Sequence, residues 1–239
     1  MKTTIKNIIK EFSSDKNYFS LKQFKTFLKR QNYKYSDASI KKYLKELIDE
    51  KNIFSAGRGF YSKIPNEFII DASSINSLIE TVRQKFPLLE FSLWSTKQIN
   101  FAFHHTQNKF FTFIYADKDS LIYLRDFLID QDYSVFLNPI KSDLVKTSFN
   151  NENSLVLRNY IIHSLSNSNI SPIEKILVDL FLETDRINII DISEYSRIFE
   201  YFLTNYCLNL SALLDYAERR KNLTKIKQFL TKYTNPTIL

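Results

Sequence analysis

The sequence predicts an α+β protein with helical segments at both ends and a mixed α/β region between them. Three observations support this fold class. Short amphipathic helices precede a glycine-tipped hairpin near the N-terminus. Strand-like and helical segments alternate in the middle of the chain, and apolar residues follow a helical period from Ser171 onward.

Three short helices are predicted before residue 50. Apolar residues recur at helical spacing from Ile5 to Phe12, which gives the first helix. Ser20 and Gln23 have the spacing of a capping box and start the second helix. The third helix begins at Ser36 or Asp37. Its predicted buried face consists of Ile40, Leu44, Leu47 and Ile48.

A β-hairpin is predicted between Asn52 and Ile64. The two glycines of the chain, Gly57 and Gly59, flank Arg58 at its tip, where a positive φ is usually required. Three helices followed by a hairpin is the order of a winged helix-turn-helix. Residues 1–65 are therefore predicted to form a winged helix-turn-helix DNA-binding domain, and residues 66–239 a second domain.

The charge distribution favours nucleic acid as the partner of the first domain. Residues 1–65 hold 15 Lys and Arg against 6 Asp and Glu, a net charge of +9. Residues 66–239 hold 18 against 20, a net charge of −2. A Lys-rich composition throughout the chain would not produce this difference in net charge. Such a difference is typical of a DNA-binding domain joined to a second domain of near-neutral charge.

The third helix is predicted to lie in the major groove of double-stranded DNA. With Ile40 and Leu44 directed inward, a rotation of about 100° per residue directs Lys42 and Lys45 outward. Glu46 and Asp49 lie near the same side. The predicted DNA-binding residues are Lys34, Ser39, Lys41, Lys42, Lys45 and Arg58.

The second domain is predicted to contain a small mixed sheet followed by four helices. A helix with Ile75 and Val82 on its buried face, capped by Ser73 or Ser74, precedes the strands. The predicted strands are Leu89–Trp94, Phe101–His104, Phe110–Tyr115 and Ser134–Leu137, with Ser154–Arg158 as an edge strand. A helix at Leu121–Leu128 makes a β-α-β unit. The four C-terminal helices are predicted from Ser171-Pro172, at about Ile192–Leu203, at about Leu210–Arg220 and at about Leu223–Tyr233.

No metal, cofactor or catalytic residue is predicted. Cys207 is the single cysteine, and His104 and His105 would point to opposite faces of a strand. Trp94, the single tryptophan, is predicted to anchor the core. The chain has no apolar run of the ~20 residues that a membrane-spanning helix needs, so a cytoplasmic, non-membrane protein is expected.

Several motifs in residues 86–220 resemble those of the AbiEi-like antitoxins of type IV toxin–antitoxin systems. The segment from Ser171 to Leu180, Ser-Pro-Ile-Glu-Lys-Ile-Leu-Val-Asp-Leu, is the most specific of them. The other matching segments are Phe86-Pro87, Phe91–Thr96, Phe103–His105, Phe113–Asp119, Val135–Pro139 and Tyr216–Arg220.

The resemblance implies a transcriptional autorepressor that binds its own promoter and acts as the antitoxin of a phage-defence system. In such proteins an N-terminal DNA-binding domain is joined to a C-terminal domain that counteracts a nucleotidyltransferase-like toxin. The toxin is a functional partner, and a direct complex with it is left open.

Two alternative functions remain open from the sequence. Asp117 and Asp119 flank Lys118 at a strand–helix junction, a pattern compatible with a metal-dependent nuclease as well as with helix capping. The first domain is also compatible with a protein-binding adaptor, which would have no salt-sensitive affinity for DNA.

Overall fold

A computed structural model describes residues 4–104, 109–146, 154–159 and 169–234. The fold is α+β, with two small sheets and a helical C-terminal part. The α-helices are α1 (Ile5–Ser13), α2 (Leu21–Arg30), α3 (Asp37–Asp49), α4 (Asn76–Lys85), α5 (Leu121–Asp130), α6 (Lys141–Lys146), α7 (Ile173–Ile187), α8 (Ile192–Asn205), α9 (Leu210–Arg219) and α10 (Leu223–Tyr233). The strands are β1 (Tyr18–Ser20), β2 (Phe54–Ser55), β3 (Phe60–Ser62), β4 (Phe91–Ser95), β5 (Phe111–Ala116), β6 (Ser134–Leu137) and β7 (Ser154–Asn159).

The chain forms two compact units. The first combines Met1–Phe68 with Phe199–Leu239, and the second is Ile69–Ile198. This division differs from the predicted one at residues 1–65 and 66–239, because the last helices group with the N-terminal segment.

The N-terminal part of the first unit has three helices around an antiparallel sheet of order β1-β3-β2. The predicted apolar faces form its core, in which Ile9, Phe24 and Leu47 are fully buried. The capping box of α2 is present, and Ser36 caps α3. Strand β1 was not predicted, since three residues are too short to show a strand period and its pairing with β3 is long-range.

Backbone hydrogen bonds join the C-terminal helices to the N-terminal sheet. The N–H of Leu210 donates to the carbonyl of Ala56 at 2.9 Å, and that of Cys207 donates to Asn66 at 2.7 Å. The buried Tyr18 hydroxyl accepts from the N–H of Leu208 at 3.0 Å and donates to the carbonyl of Tyr206. The first unit therefore depends on residues that lie almost 190 positions apart.

The second unit is built on a four-stranded sheet of order β4-β5-β7-β6. Strand β4 is antiparallel to β5, whereas β5 and β6 are both parallel to β7. The predicted β-α-β unit is thus present as β5-α5-β6. The predicted edge strand at Ser154–Arg158 is wrong in position, because β7 lies between β5 and β6 and supplies the buried Leu155 and Leu157 to the core.

Helix α7 carries a buried polar stripe at Lys175, Asp179 and Glu183, spaced four residues apart. Lys175 donates to Asp179 at 2.9 Å and lies 3.8 Å from the centre of the Tyr115 ring on β5. Glu183 pairs with the buried guanidinium of Arg158 on β7. These charges are satisfied inside the unit, so they fix α7 to one face of the sheet.

Two further predictions in the second unit are wrong. Phe101–His104 is not a strand, since Thr96–Ala102 forms a 3-10 helix that starts at a capping box between Ser95 and Gln98. Helix α4 has Ile75 at its N-cap with no side-chain cap, and the predicted cap Ser73 instead bonds to Asp71. Local polar hydrogen bonds decide both places, since they favour the 3-10 helix over the weak apolar alternation and bind the Ser73 hydroxyl to Asp71.

In the part of the chain that the structure describes, no helix has both the length and the apolar character needed to cross a membrane.

Candidate nucleic-acid interface

Helix α3 separates apolar from basic side chains, as its sequence predicts. Ile40, Leu44 and Leu47 are buried, whereas Lys42 and Lys45 are exposed on the opposite side. The Lys42 side chain is 71% exposed. A buried stripe on one side leaves these ammonium groups directed to solvent, where a polyanion can reach them.

The other lysines predicted for this interface are also exposed. Lys41 lies on α3 beside the buried Ile40, and Lys34 lies in the turn between α2 and α3. Ser39 is different, because it is half-buried in the cap of α3. Its N–H donates to the Ser36 hydroxyl oxygen at 3.1 Å, and the two hydroxyl oxygens are 2.9 Å apart.

Asp37, Glu46 and Glu50 lie within salt-bridge distance of lysines from the neighbouring helices, and Glu46 is also 4.0 Å from Lys42 of α3 itself. Lys6 of α1 pairs with Glu50 and lies 4.0 Å from Glu46. Lys25 of α2 donates to Asp37 at 2.6 Å. These hydrogen bonds lower the pKa of Glu50 and of Asp37 and raise the pKa of Lys6, so all three groups remain charged at neutral pH.

The tip of the β2–β3 hairpin has the conformation that its glycines predict. Gly57 has a φ of 92° and Gly59 a φ of 80°, and the Arg58 side chain between them is exposed. The sequence did not predict that α9 holds this tip. The N–H of Arg58 donates to the Ser211 hydroxyl at 3.0 Å, and a Cβ atom on Gly57 would lie 2.1 Å from Asn209 Oδ1.

The hairpin tip also lies beside basic residues that the sequence analysis missed. Lys22, Lys25 and Lys29 of α2 and Lys227 of α10 line one groove together with Arg58. The spacing of the three α2 lysines at i, i+3 and i+7 was a signal for one helix face. Nothing in the sequence placed Lys227 near them.

Asp117, proposed as a possible nuclease carboxylate, accepts hydrogen bonds at the start of α5. One of its carboxylate oxygens lies 3.0 Å from the backbone nitrogens of both Asp119 and Ser120. Hydrogen bonds from Ser120 and Asp119 lower the pKa of Asp117, while the Asp119 side chain itself is exposed. The N-cap of α5 is Ser120, so the predicted cap at Asp117 or Asp119 is wrong, and the Asp117 carboxylate instead closes the turn that precedes the helix.

His105 and His163 lie outside the described residues, and the backbone N–H of the exposed His104 donates to Glu194. Trp94 is buried and stacks on Phe113 at 4.6 Å, which confirms its predicted place in the core. Within residues 4–104, 109–146, 154–159 and 169–234, no three His, Cys, Asp or Glu side chains are grouped to hold a metal.

A family model described as a family of unknown function (DUF6577) matches residues 39–236. The matched region starts within α3 and includes the hairpin, the second unit and the C-terminal helices. No curated protein matches the chain.

Proposed function

Because the chain belongs to the DUF6577 family, whose function is unknown, we propose a function from its own residues: it is a DNA-binding transcriptional repressor whose first unit contains a winged helix-turn-helix. The observation that carries the proposal is the element order α1-β1-α2-α3-β2-β3 together with the exposed lysines on α3. Helices α2 and α3 correspond to the helix-turn-helix pair, and the β2–β3 hairpin corresponds to the wing.

The contacts expected from this arrangement are mainly with phosphates. Lysine is a point charge that suits phosphate oxygens, and α3 directs no Arg, Asn or Gln outward to a base edge. Lys41, Lys42 and Lys45 would contact the backbone beside the major groove, Lys34 would do so from the preceding turn, and Arg58 would reach a phosphate or the minor groove. Ser39 would act through the cap of α3.

Replacement of Lys42, Lys45 and Arg58 together by Ala tests this proposal. The triple variant should lose binding to the DNA upstream of its own gene in a mobility-shift assay. Any residual binding should depend on salt with a slope lower by about three units, because about three phosphate contacts are lost. A circular dichroism spectrum like that of the unaltered protein would exclude unfolding.

A matched control removes the same charge elsewhere. Arg83, Lys118 and Lys141 are exposed residues of the second unit, and their joint replacement by Ala should leave DNA binding intact. Unchanged affinity of the Lys42/Lys45/Arg58 variant would contradict the proposal. Wild-type protein with no salt-sensitive affinity for DNA would favour the protein-binding adaptor instead.

The resemblance of the Ser171–Leu180 motif and its neighbours to AbiEi-like antitoxins supports a second part of the proposal. The protein would act in the cytoplasm as the antitoxin of a nucleotidyltransferase-like toxin encoded by an adjacent gene. Co-expression with that gene product should restore growth, and the Lys42/Lys45/Arg58 variant, expressed from a foreign promoter, should still do so. Failure of the unaltered protein to restore growth would contradict the antitoxin role alone.

A further inference from the structure

The first unit has a basic groove of about 900 Å³ between α2, the hairpin tip and the C-terminal helices α9 and α10. Five cationic side chains line it: Lys22, Lys25, Lys29, Arg58 and Lys227. The groove lies entirely within one compact unit, so its walls are held by that unit's own packing.

The positive charge of the groove exceeds what its carboxylates neutralise. Among the described residues, the carboxylates that line it are those of Asp215 and Glu218. Asp215 already pairs with Arg219 at 2.9 Å, and Lys25 pairs with Asp37 at 2.6 Å. The remaining cations, Lys22, Lys29, Arg58 and Lys227, therefore face one further carboxylate, which favours an anionic occupant.

The α2 lysines form a row whose length suits a nucleic-acid backbone. Lys22, Lys25 and Lys29 lie on one face of the helix, and the seven residue steps from first to last span about 10 Å at ~1.5 Å per step. Each strand of B-DNA carries one negative charge per ~3.4 Å of helix axis. The row thus matches the axial length of about three intervals between successive phosphates of one strand.

The hairpin tip connects this row to the C-terminal helices. Arg58 lines the groove and is also a residue of the proposed α3 interface. Its backbone N–H bonds to Ser211, the second residue of α9, so the C-terminal helices hold the tip in position. Lys227 of α10 reaches the same groove from the other wall.

We propose that the groove binds the sugar–phosphate backbone of the same DNA that α3 contacts, and that Lys227 makes one of these contacts. The C-terminal helices are then part of the DNA-binding surface, which extends beyond the N-terminal residues 1–65. This inference rests on the proposed DNA-binding function and assigns it an additional surface.

Replacement of Lys227 by Ala in the full-length chain tests the inference on a DNA duplex containing the upstream sequence. The salt dependence of binding should lose about one unit of slope, and the affinity should fall about fivefold on specific and on unrelated duplexes alike. Lys232→Ala is the matched control, because Lys232 is an exposed residue of the same helix outside the groove. It should change neither quantity.

Replacement of Glu218 by Gln is a second test, because the expected result is tighter DNA binding, which an unfolded variant would not show. Loss of this groove carboxylate should raise the affinity for DNA about threefold, with a smaller effect as salt increases.

Wild-type affinity and slope in both the Lys227→Ala and the Glu218→Gln variants would overturn the inference while the proposed function stands. Equal losses from Lys227→Ala and Lys232→Ala would also overturn it, since net charge rather than the groove would be responsible. A wild-type chain that binds no DNA would overturn this inference together with the function on which it rests.

Discussion

At the scale of single residues, the two glycines of the hairpin have different reasons to be glycine. Both have a positive φ, at which a Cβ atom is strained. Only at Gly57 would a Cβ also clash with another segment, because Asn209 and Ser211 occupy the space where it would be. Apart from Gly59 itself and its two chain neighbours, no heavy atom of the described residues lies within 4 Å of a Cβ built on Gly59. The tip therefore serves both as a turn and as a contact surface.

Replacement of each glycine by Ala should separate these two reasons. Gly59→Ala should lower the free energy of unfolding by about 1 kcal/mol, from backbone strain alone. Gly57→Ala should cost at least about 2 kcal/mol, because Asn209 and Ser211 must also move. Urea denaturation measures both values, and equal losses would show that the α9 contact adds nothing.

At the scale of secondary-structure elements, helix α7 is buried but contains charged residues, and its hydrogen bonds show why they are tolerated there. Lys175 bonds to Asp179 and to the Ser171 hydroxyl, and Glu183 bonds to Arg158 of β7. An unpaired buried charge is costly, so these groups fit only one placement of α7 on the sheet. The Ser171–Leu180 segment thus has a structural role in this chain.

Replacement of Glu183 by Gln should be strongly destabilising, by about 3–5 kcal/mol, because it leaves the Arg158 guanidinium buried without a carboxylate. Arg186→Ala provides the control. Arg186 also pairs with Glu183, at 3.3 Å, but its side chain is 42% exposed, so its loss should cost less than about 1 kcal/mol. Chemical denaturation compares the two, and a small loss for Glu183→Gln would mean that water reaches Arg158.

At the scale of the whole molecule, the first compact unit is assembled from both ends of the chain. The Tyr18 hydroxyl connects β1 to the start of the C-terminal helices by accepting from Leu208 and donating to Tyr206. Residues 69–198 separate the two segments of this unit in the sequence. The unit is complete only when both segments are in contact. The N-terminal 65 residues are therefore not expected to have the stability of the complete unit.

Replacement of Tyr18 by Phe should destabilise the full-length protein by about 1–3 kcal/mol, since it leaves the buried N–H of Leu208 without its acceptor. Tyr33→Phe is the matched control, because Tyr33 is 40% exposed and its hydroxyl can bond to water. Thermal unfolding followed by circular dichroism measures both variants. Similar melting temperatures for Tyr18→Phe and the unaltered protein would contradict the proposed role of this connection.

Local patterns in the sequence were sufficient to predict most helices and the exposed lysines. The apolar period of α3 directed Lys42 and Lys45 outward, and the paired glycines predicted the hairpin and its positive φ values. Ser134–Leu137 was predicted with the bounds that β6 has. These features depend on neighbours within a few residues, so one stretch of sequence contains the required information.

Only the tertiary structure decided what depends on distant residues. It placed β7 inside the sheet, brought α9 and α10 to the N-terminal unit and put Lys227 beside Arg58. The sequence alone determined which faces are apolar and which are basic. It could not determine which faces meet, because that depends on packing and hydrogen bonds between segments far apart in the chain. The local spacing of apolar residues contains no information about such contacts.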